Sequence, residues 1–380
     1  MSEEIKNVQE ELNEQMQIRR DKLAEYEADG IYPFGQRFIV KDNAKEIKDD
    51  FFLKYDGQPV VIAGRLMTIR SHGKTAFANV RDKSGDIQVY FRKDVLGEEA
   101  YKYVKMLDIG DIIGVEGHVF KTHTGEVTIK VNKLTLLSKS LRPLPEKWHG
   151  LKDTELRYRQ RYVDLIVNPE VRDTFVKRSQ IVAKIREYMM RDGFMEVETP
   201  MMHAIPGGAA ARPFITHHNA LDIDIYMRIA PELYLKRLIV GGMDRVFEMN
   251  RCFRNEGIDN RHNPEFTTIE SYQAYGDVED AIRLTENLVS YCAQEVLGTQ
   301  EITYQGTEIN LTPPWNRITM AEGVKKYTGE DFDAVNTVEE ARAIADRLNV
   351  EYTDNDGIGK ILNACFEDYV EENLIQPTIV

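Results

Sequence analysis

The sequence predicts an α+β protein in which a small N-terminal β-barrel precedes a second domain built on antiparallel strands. Three observations carry this prediction. Short strand-like runs separated by turn signals fill residues 58 to about 140, a Pro- and Gly-containing connector follows, and residues 245–275 form two alternating strands around a polar loop. A length of 380 residues, with 42% hydrophobic and 29% charged residues, suits a globular chain of two or three domains.

Composition excludes several classes of protein. The chain has no run of about 18 apolar residues, and its first residues, MSEEIKNVQE, lack the apolar core of a signal peptide, so we expect a cytoplasmic protein without a membrane partner. Three cysteines lie far apart without CxxC spacing, which predicts reduced, packed thiols and no metal site within the chain.

The net charge of −14 argues against a polyanionic partner for the chain as a whole. Residues 60–81 differ, because they contain Arg65, Arg70, Lys74 and Arg81 and no carboxylate. This stretch is therefore a candidate surface for nucleic acid.

The first 28 residues predict an amphipathic helix, because Ile5, Val8 and Leu12 begin a series of apolar residues at steps of three or four. Gly30 and Pro33 end the helix. Its acidic start favours packing on the next domain over contact with RNA.

The following segment has the element order of an OB-fold, a small barrel that binds oligonucleotides. Strands are predicted at 60–69, 74–81 and 86–91, a helix at about 98–106, and two more strands at 111–120 and 126–137. Alternation within these strands turns Ala76, Ala78, Val80, Ile87, Val89 and Phe91 inward.

The same alternation turns Phe77, Gln88 and Glu126 outward. A phenyl ring beside a basic stretch suits stacking of an unpaired base. A single exposed aromatic side chain is also ordinary protein surface, and the pattern alone leaves both interpretations open.

After the connector, apolar spacing predicts a helix at 175–192 and a short strand at 194–199 that ends before Pro200. Gly207 and Gly208 then form a flexible loop that matches neither phosphate-binding glycine motif. Glu232 follows Pro231 at the start of another helix, a position where a carboxylate is often placed only for the helix dipole.

The hairpin at 245–275 has the richest chemistry in the chain. Its first strand places Arg254 on the same face as Glu248, and its second places Phe266, Glu270 and Tyr272 on one face. An arginine suits a phosphate or carboxylate, a ring suits a base, and two acidic or hydroxyl groups suit an ammonium. An ordinary hairpin with solvated charges is the alternative interpretation.

The literal strings FRNEG and RHNPEFT within this hairpin resemble motif 2 of class II aminoacyl-tRNA synthetases, in the version of the bacterial lysyl-tRNA synthetases. The helix at 175–192 with GF and EVETP is similar to motif 1, which implies a homodimer. The resemblance covers essentially all 380 residues.

The resemblance implies activation of L-lysine by ATP with Mg²⁺, followed by transfer to tRNA(Lys). It implies Arg254 as the catalytic residue, and ATP contacts from Arg254, Glu256, His262 and Phe266. It implies lysine contacts from Gly208, Glu232, Arg254, Glu270 and Tyr272. It implies that Phe77, Gln88 and Glu126 hold the central anticodon base.

The chain departs from the family pattern after motif 2, because it contains no GxGxxR string of motif 3. We expect an incomplete catalytic domain with Mg²⁺ ligands beyond residue 380, and little lysine-dependent pyrophosphate exchange. Residues 374–380 are expected to form a strand of the catalytic sheet. The expected division is a helical extension at 1–54, an OB domain at 55–140, a linker at 141–170 and a catalytic domain at 171–380, with a helical insertion at about 316–374.

Two alternatives remain at this stage. An elongation-factor lysyltransferase shares the catalytic domain but lacks an anticodon domain, and residues 58–140 argue against it. A non-catalytic RNA-binding paralogue would explain the missing motif 3, although the motif 2 positions are intact.

Overall fold

The structure is a computed structural model that describes residues 3–145, 151–259 and 262–380, with side chains described from residue 14 onward. The chain forms two compact units, Met1–Val171 and Arg172–Val380. The connector residues 146–150, including Gly150, lie outside the described residues.

The first unit is a closed five-stranded barrel with helices around it. Its helices are α1 Glu3–Ala28, α2 Ala44–Asp49, α3 Lys93–Leu96, α4 Glu98–Met106, α5 Thr154–Arg159 and α6 Arg161–Val167. Its strands are β1 Pro59–His72, β2 Thr75–Arg81, β3 Asp86–Arg92, β4 Ile112–Lys121 and β5 Val127–Ser138. The strand order β1-β2-β3-β5-β4, with α4 between β3 and β4, confirms the predicted OB-fold.

The interior of the barrel follows the alternation of its strands. The six residues predicted to point inward on β2 and β3 are at most 2% exposed, and Phe77, Gln88 and Tyr90 between them are partly exposed. Because successive strand residues face opposite sides, this pattern fixes which side chains can meet a ligand.

The N-terminal helix packs on the barrel, as its acidic start predicted. Arg19 is 8% exposed and donates to the carbonyl oxygens of Ile109 and Ser140 at 3.1 and 2.9 Å. Lys22 pairs with Asp108 at 2.6 Å. Buried donors of this kind hold α1 in one position on the barrel.

The second unit alternates helices with short sheets. Its helices are α7 Pro169–Arg191, which begins at the end of the first unit, α8 Glu232–Val240, α9 Val278–Leu297, α10 Met320–Thr328, α11 Val338–Leu348 and α12 Ile358–Tyr369. Its strands are β6 Met195–Glu196, β7 Met202–His203, β8 Ile215–His218, β9 Ile223–Met227, β10 Arg245–Phe253, β11 Glu265–Gln273, β12 Glu301–Tyr304, β13 Thr307–Asn310, β14 Asn316–Arg317 and β15 Thr378–Ile379.

The central sheet of this unit has the order β11-β10-β6, with β10 and β11 antiparallel. Met189 of α7, Phe194 and Phe247 form a buried cluster behind it. The predicted strand at 194–199 is shorter than expected, because only β6 pairs with β10 before the chain turns away at Pro200.

Helices α10, α11 and α12 share a separate buried core that includes Val324, Ile344 and Ile361. Thr319 and Thr337 begin α10 and α11 with capping boxes, so each helix start is specified locally. The final strand differs from the expectation for residues 374–380. Instead of joining the β10–β11 sheet, β15 pairs in parallel with β14 in a two-stranded sheet, because residues 316–318 take up its backbone hydrogen bonds.

Cys252, Cys292 and Cys365 are free and buried, which confirms the predicted packed thiols. Burial raises the pKa of all three thiols, that of Cys365 to about 11. Among the helices that the structure describes, none is both long and apolar enough to cross a bilayer.

Candidate functional site

The predicted polar face of the hairpin is present in the second unit. Across the ladder, Glu248 pairs with Glu270, and Cys252 pairs with Phe266. Paired residues of an antiparallel ladder share a face, so both strands contribute to one surface. The opposite face carries Phe247 and Met249, which are 0% and 9% exposed.

Arg254 follows β10 directly and is positioned by its backbone, whose N–H donates to the Pro264 carbonyl at 2.9 Å. Its guanidinium lies over the Phe266 ring, 5.2 Å from the centroid. Its buried Nε has no hydrogen-bond partner among the described residues. A buried donor without a partner is costly, and an anionic ligand would satisfy it.

One face of the Phe266 ring therefore already meets a guanidinium. An adenine base would share the ring with this guanidinium or displace it, and adenine stacking on Phe266 stays a prediction.

The loop after β10 joins the glycine-containing loop. The Asn255 N–H donates to the Arg212 carbonyl at 2.7 Å, and the Arg212 N–H donates to the Glu256 carboxylate at 3.3 Å. His262 is exposed, and its Nδ1 lies 2.7 Å from the Asp259 carboxylate. Arg261, in the same charged loop, lies outside the described residues. The ATP contacts expected of Glu256 and His262 stay predictions.

The Gly208 backbone lies close to Glu232, with no room for a side chain between them. Gly208 has φ +89, and a Cβ there would lie 2.9 Å from the Glu232 Cβ and 3.2 Å from the Ala230 Cβ. Only glycine fits this close approach with a left-handed backbone. The Gly208 backbone therefore lies near the Glu232 carboxylate, and their shared binding of an amino group stays a prediction.

Glu270 and Tyr272 also meet, since the Tyr272 hydroxyl donates to the Glu270 carboxylate at 3.3 Å. Burial raises the pKa of Glu270, the negative charges of Glu232 and Glu248 raise it further, and the hydrogen bond from Tyr272 opposes them. Burial likewise raises the pKa of Tyr272, so the hydroxyl stays protonated and able to donate. Three carboxylates near one another make this end of the face suited to a cation.

The face of the barrel that was predicted to bind RNA belongs to the first unit. Gln88 accepts a hydrogen bond from Thr128 at 2.8 Å, and Thr128 also donates to the Glu126 carbonyl at 3.2 Å. Phe77 is half-buried rather than bare, because its ring stacks on Tyr90 with 4.3 Å between centroids. Glu126 lies just before β5, with its carboxylate 3.7 Å from the Lys48 ammonium.

The basic stretch at 60–81 is only partly available to a ligand. Arg81 forks onto Asp86 at 2.5 and 2.8 Å, and Arg65 donates to the Gly110 carbonyl at 2.7 Å. Arg70 and Lys74 are exposed and make no ion pair with any residue that the structure describes. The surface charge for nucleic acid is therefore smaller than the residue count suggested.

Comparison with known proteins finds a family match in each of two parts of the chain. Residues 153–362 match the family described as tRNA synthetases class II (D, K and N), and residues 60–137 match the OB-fold nucleic acid binding domain. A lysine–tRNA ligase of Thermoanaerobacter pseudethanolicus is 56% identical over 380 residues, which are 100% of this chain and 76% of that protein. One of Carboxydothermus hydrogenoformans is 58% identical over 371 residues, 98% of this chain and 76% of the relative.

The chain belongs to the lysine–tRNA ligase family of class II tRNA synthetases. The family and the fold class expected from motif 2 and the barrel are thereby confirmed. The roles of the individual side chains stay predictions.

Sequence reasoning missed a buried ion pair beneath the polar face of this lysine–tRNA ligase family member. Arg228 and Glu248 are 0% and 1% exposed, and Arg228 Nη1 lies 2.6 Å from the Glu248 carboxylate. Thr199 donates to the other Glu248 oxygen at 2.6 Å, and Arg228 Nε donates to the Arg251 carbonyl at 2.8 Å. The Nη2 group of Arg228 has no partner among the described residues.

The Arg228–Glu248 pair also affects the pKa values of two side chains on the polar face of the hairpin. The positive charge of Arg228 lowers the pKa of Glu270 and of Cys252, against the stronger effect of burial in both. The sequence feature that could have indicated the pair is a single arginine, Arg228, within an apolar run. Its neighbours Ile225, Ile229 and Ala230 are at most 8% exposed.

Lys236 was also missed. Its ammonium lies 2.6 Å from the Glu232 carboxylate and 5.9 Å from the centroid of the Tyr272 ring. The chain thus places a lysine ammonium of its own on the carboxylate expected to receive the substrate amino group. The signal was the spacing of four residues between Glu232 and Lys236 on one helix.

Proposed function

We propose that this chain activates L-lysine with ATP and transfers the lysyl group to tRNA(Lys). The observation that carries the proposal is the polarity of the hairpin face. A guanidinium with an unpartnered Nε lies at one end, and Glu232, Glu270 and Tyr272 surround the other. A lysyl-adenylate has the matching polarity, with an anionic phosphate at one end and ammonium groups at the other.

In the first step a carboxylate oxygen of lysine attacks the α-phosphorus of ATP. An O–P bond forms, the bond from the α-phosphorus to the bridging oxygen breaks, and pyrophosphate leaves with that electron pair. In the second step a hydroxyl oxygen of the terminal ribose of tRNA attacks the carbonyl carbon and forms an ester bond. The bond from that carbon to the phosphate oxygen breaks, AMP leaves with the electron pair, and the hydroxyl proton passes to a phosphate oxygen of AMP or to solvent. Bringing two anions together is a matter of positioning and charge neutralisation, so no protein nucleophile is required.

The side chains divide between these tasks. Arg254 bridges the lysine carboxylate and the α-phosphate, and Glu256, His262 and Phe266 contact ATP. The Gly208 carbonyl and Glu232 receive the α-amino group, for which Lys236 must move from Glu232, and Glu270 and Tyr272 receive the ε-ammonium.

The family uses ATP as a substrate, and we propose that Mg²⁺ accompanies it. In the part of the chain that the structure describes, no group of three or more His, Cys, Asp or Glu side chains could hold a metal ion. No residue here is therefore proposed as a Mg²⁺ ligand.

Arg254→Met tests the assignment of the anionic end. It is expected to weaken binding of a non-hydrolysable lysyl-adenylate analogue about 10- to 150-fold, the equivalent of about 1.5–3 kcal/mol for a hydrogen bond to a charged group. Isothermal titration calorimetry measures the change. Lysinol, which lacks the carboxylate and the phosphate, should bind both proteins equally.

Arg251→Met is the matched control, because Arg251 lies on the opposite face of the same strand and is exposed. Equal losses in the two variants, or an unchanged affinity in Arg254→Met, would contradict the proposed adenylate site.

We also propose that the chain forms a homodimer through α7. The back of the hairpin, Met249, Thr267 and Ile269, and residues 177–185 of α7 line an open groove of about 530 Å³. Val176 and Ile181 on this helix are 47% and 39% exposed. An apolar helix face beside an open groove fits an isologous contact.

Sedimentation equilibrium is expected to give twice the chain mass of 43.8 kDa. Ile181→Glu should shift the mass toward the monomer. Ile205→Glu, which alters a 76% exposed residue that follows β7 and does not line the groove, should not. A wild-type monomer at micromolar concentration would overturn this proposal.

In the first unit, Phe77, Gln88 and Glu126 are proposed to hold the central base of the anticodon. Support comes from the stacked Phe77 ring and from the hydrogen bonds that link Gln88 to Glu126 through Thr128.

A further inference from the structure

We propose that Phe52 and Lys121 form a second stacking site, which takes an unpaired base of the anticodon loop beside the base held at Phe77. This inference rests on the proposed binding of tRNA by the barrel, and it assigns a role to a segment that the resemblance leaves without one.

Phe52 lies in a short helical turn of residues 51–55, between α2 and β1. Its neighbours Phe51 and Tyr55 anchor that turn in the core, each 3% exposed. Phe52 itself is 78% exposed. The turn is therefore anchored by its two buried rings, while the Phe52 ring is exposed to solvent.

A single exposed ring is ordinary protein surface, but the Phe52 ring also has a cationic neighbour. The ammonium of Lys121 lies 4.8 Å from the Phe52 ring centroid and 6.0 Å from that of Phe51. No carboxylate among the described residues forms an ion pair with Lys121, which is exposed. The site therefore combines a largely exposed ring with an ammonium that lies over one of its faces and has no carboxylate partner among the described residues.

Lys121 also connects this site to the proposed anticodon site. It ends β4 and pairs across the ladder with Val127, the residue after Glu126. Lys48, from the helix that precedes the turn at 51–55, lies 3.7 Å from the Glu126 carboxylate. The segment that carries Phe52 thus reaches the same end of the β4–β5 hairpin as Glu126.

A further aromatic ring lies beside the first site, on the β4 strand that Lys121 ends. Phe77 stacks on Tyr90 at 4.3 Å, and Tyr90 lies 6.2 Å from Phe120, the residue before Lys121. Successive unpaired bases of a single strand stack on such rings while cationic side chains follow the backbone phosphates. The chemistry fits two neighbouring nucleotides of a single-stranded RNA loop.

The test measures binding of a fluorescently labelled lysine-anticodon stem-loop RNA to the 380-residue chain. Phe52→Ala is expected to weaken binding about 5- to 150-fold, the range for loss of one base–aromatic stack. Leu53→Ala is the matched control, since Leu53 is the adjacent residue, is 90% exposed and has no ring. It should leave the affinity within about twofold of the parent chain.

An RNA that lacks the base next to the central anticodon position tests whether that base is the one that stacks on Phe52. With this RNA, Phe52→Ala should cause no further loss of affinity. Lys121→Met should lower the slope of log affinity against log salt by about 0.7, the value for one phosphate contact in a single strand.

Phe77→Ala distinguishes failure of the second stacking site from failure of the proposed anticodon site. If Phe77→Ala weakens binding while Phe52→Ala behaves like Leu53→Ala, the second stacking site is wrong and the anticodon site stands. If neither aromatic variant weakens binding, the proposed anticodon function of the barrel fails with it.

Discussion

Replacing Arg228 with methionine is expected to lower the free energy of unfolding of the second unit by about 3–5 kcal/mol, because the change leaves a buried carboxylate without its partner. Glu248 is 1% exposed. Among the described residues, its one cationic partner is the Arg228 guanidinium, at 2.6 Å. Methionine keeps much of the volume of arginine, so the lost charge and hydrogen bonds dominate over a cavity.

Urea unfolding followed by tryptophan fluorescence measures this change. The chain has two tryptophans, and Trp148→Phe leaves Trp315 as the reporter of the second unit. Arg245→Met is the control, because Arg245 is a partly exposed arginine whose side chain donates to the Asp192 carbonyl at 2.6 Å, and we expect a change of about 1 kcal/mol or less.

The double variant Arg228→Met/Glu248→Met decides whether charge is the cause. Replacing both members of a buried pair with apolar residues is often close to neutral, so the double variant should recover most of the stability lost in Arg228→Met. Additive losses would instead indicate that packing around Arg228 is responsible.

The sequence predicted the features that depend on local periodicity. Strand alternation placed Glu270 and Tyr272 on one face of β11 and Ala76 and Val89 inside the barrel, and the structure agrees. Alternation is a property of each strand by itself, so a single sequence is enough to read it.

Features that depend on pairing between distant segments were not predictable in this way. Arg228 meets Glu248 and Thr199 only after three segments fold together. The stacking of Phe77 on Tyr90 depends on the register between β2 and β3. The pairing of β15 with β14 likewise joins two segments that are far apart in the sequence. Long-range register and side-chain rotamers decide such contacts, and neither has a local signature.

Glu270→Gln is expected to weaken lysine binding by about 30- to 5,000-fold, because loss of one member of a buried charged pair costs about 2–5 kcal/mol. The same variant should lose most of its discrimination against norleucine, which lacks the ε-ammonium and would leave the wild-type carboxylate without a partner. Glu265→Gln is the control, since Glu265 is an exposed carboxylate on the same strand that faces Arg251.

The pH dependence of binding follows from the raised pKa of Glu270. Only the ionised carboxylate pairs with an ammonium, so lysine affinity should rise with pH from about 4.5 through the raised pKa and then level off. Over the same window the free protein should become less stable, because its folded state holds a proton that the unfolded chain has already released. Lysine binding within this window should therefore release a proton. Calorimetry in buffers of different ionisation enthalpy measures that release, which should be absent from Glu270→Gln; a wild-type lysine affinity that is independent of pH there would rule out Glu270 as the ammonium receptor.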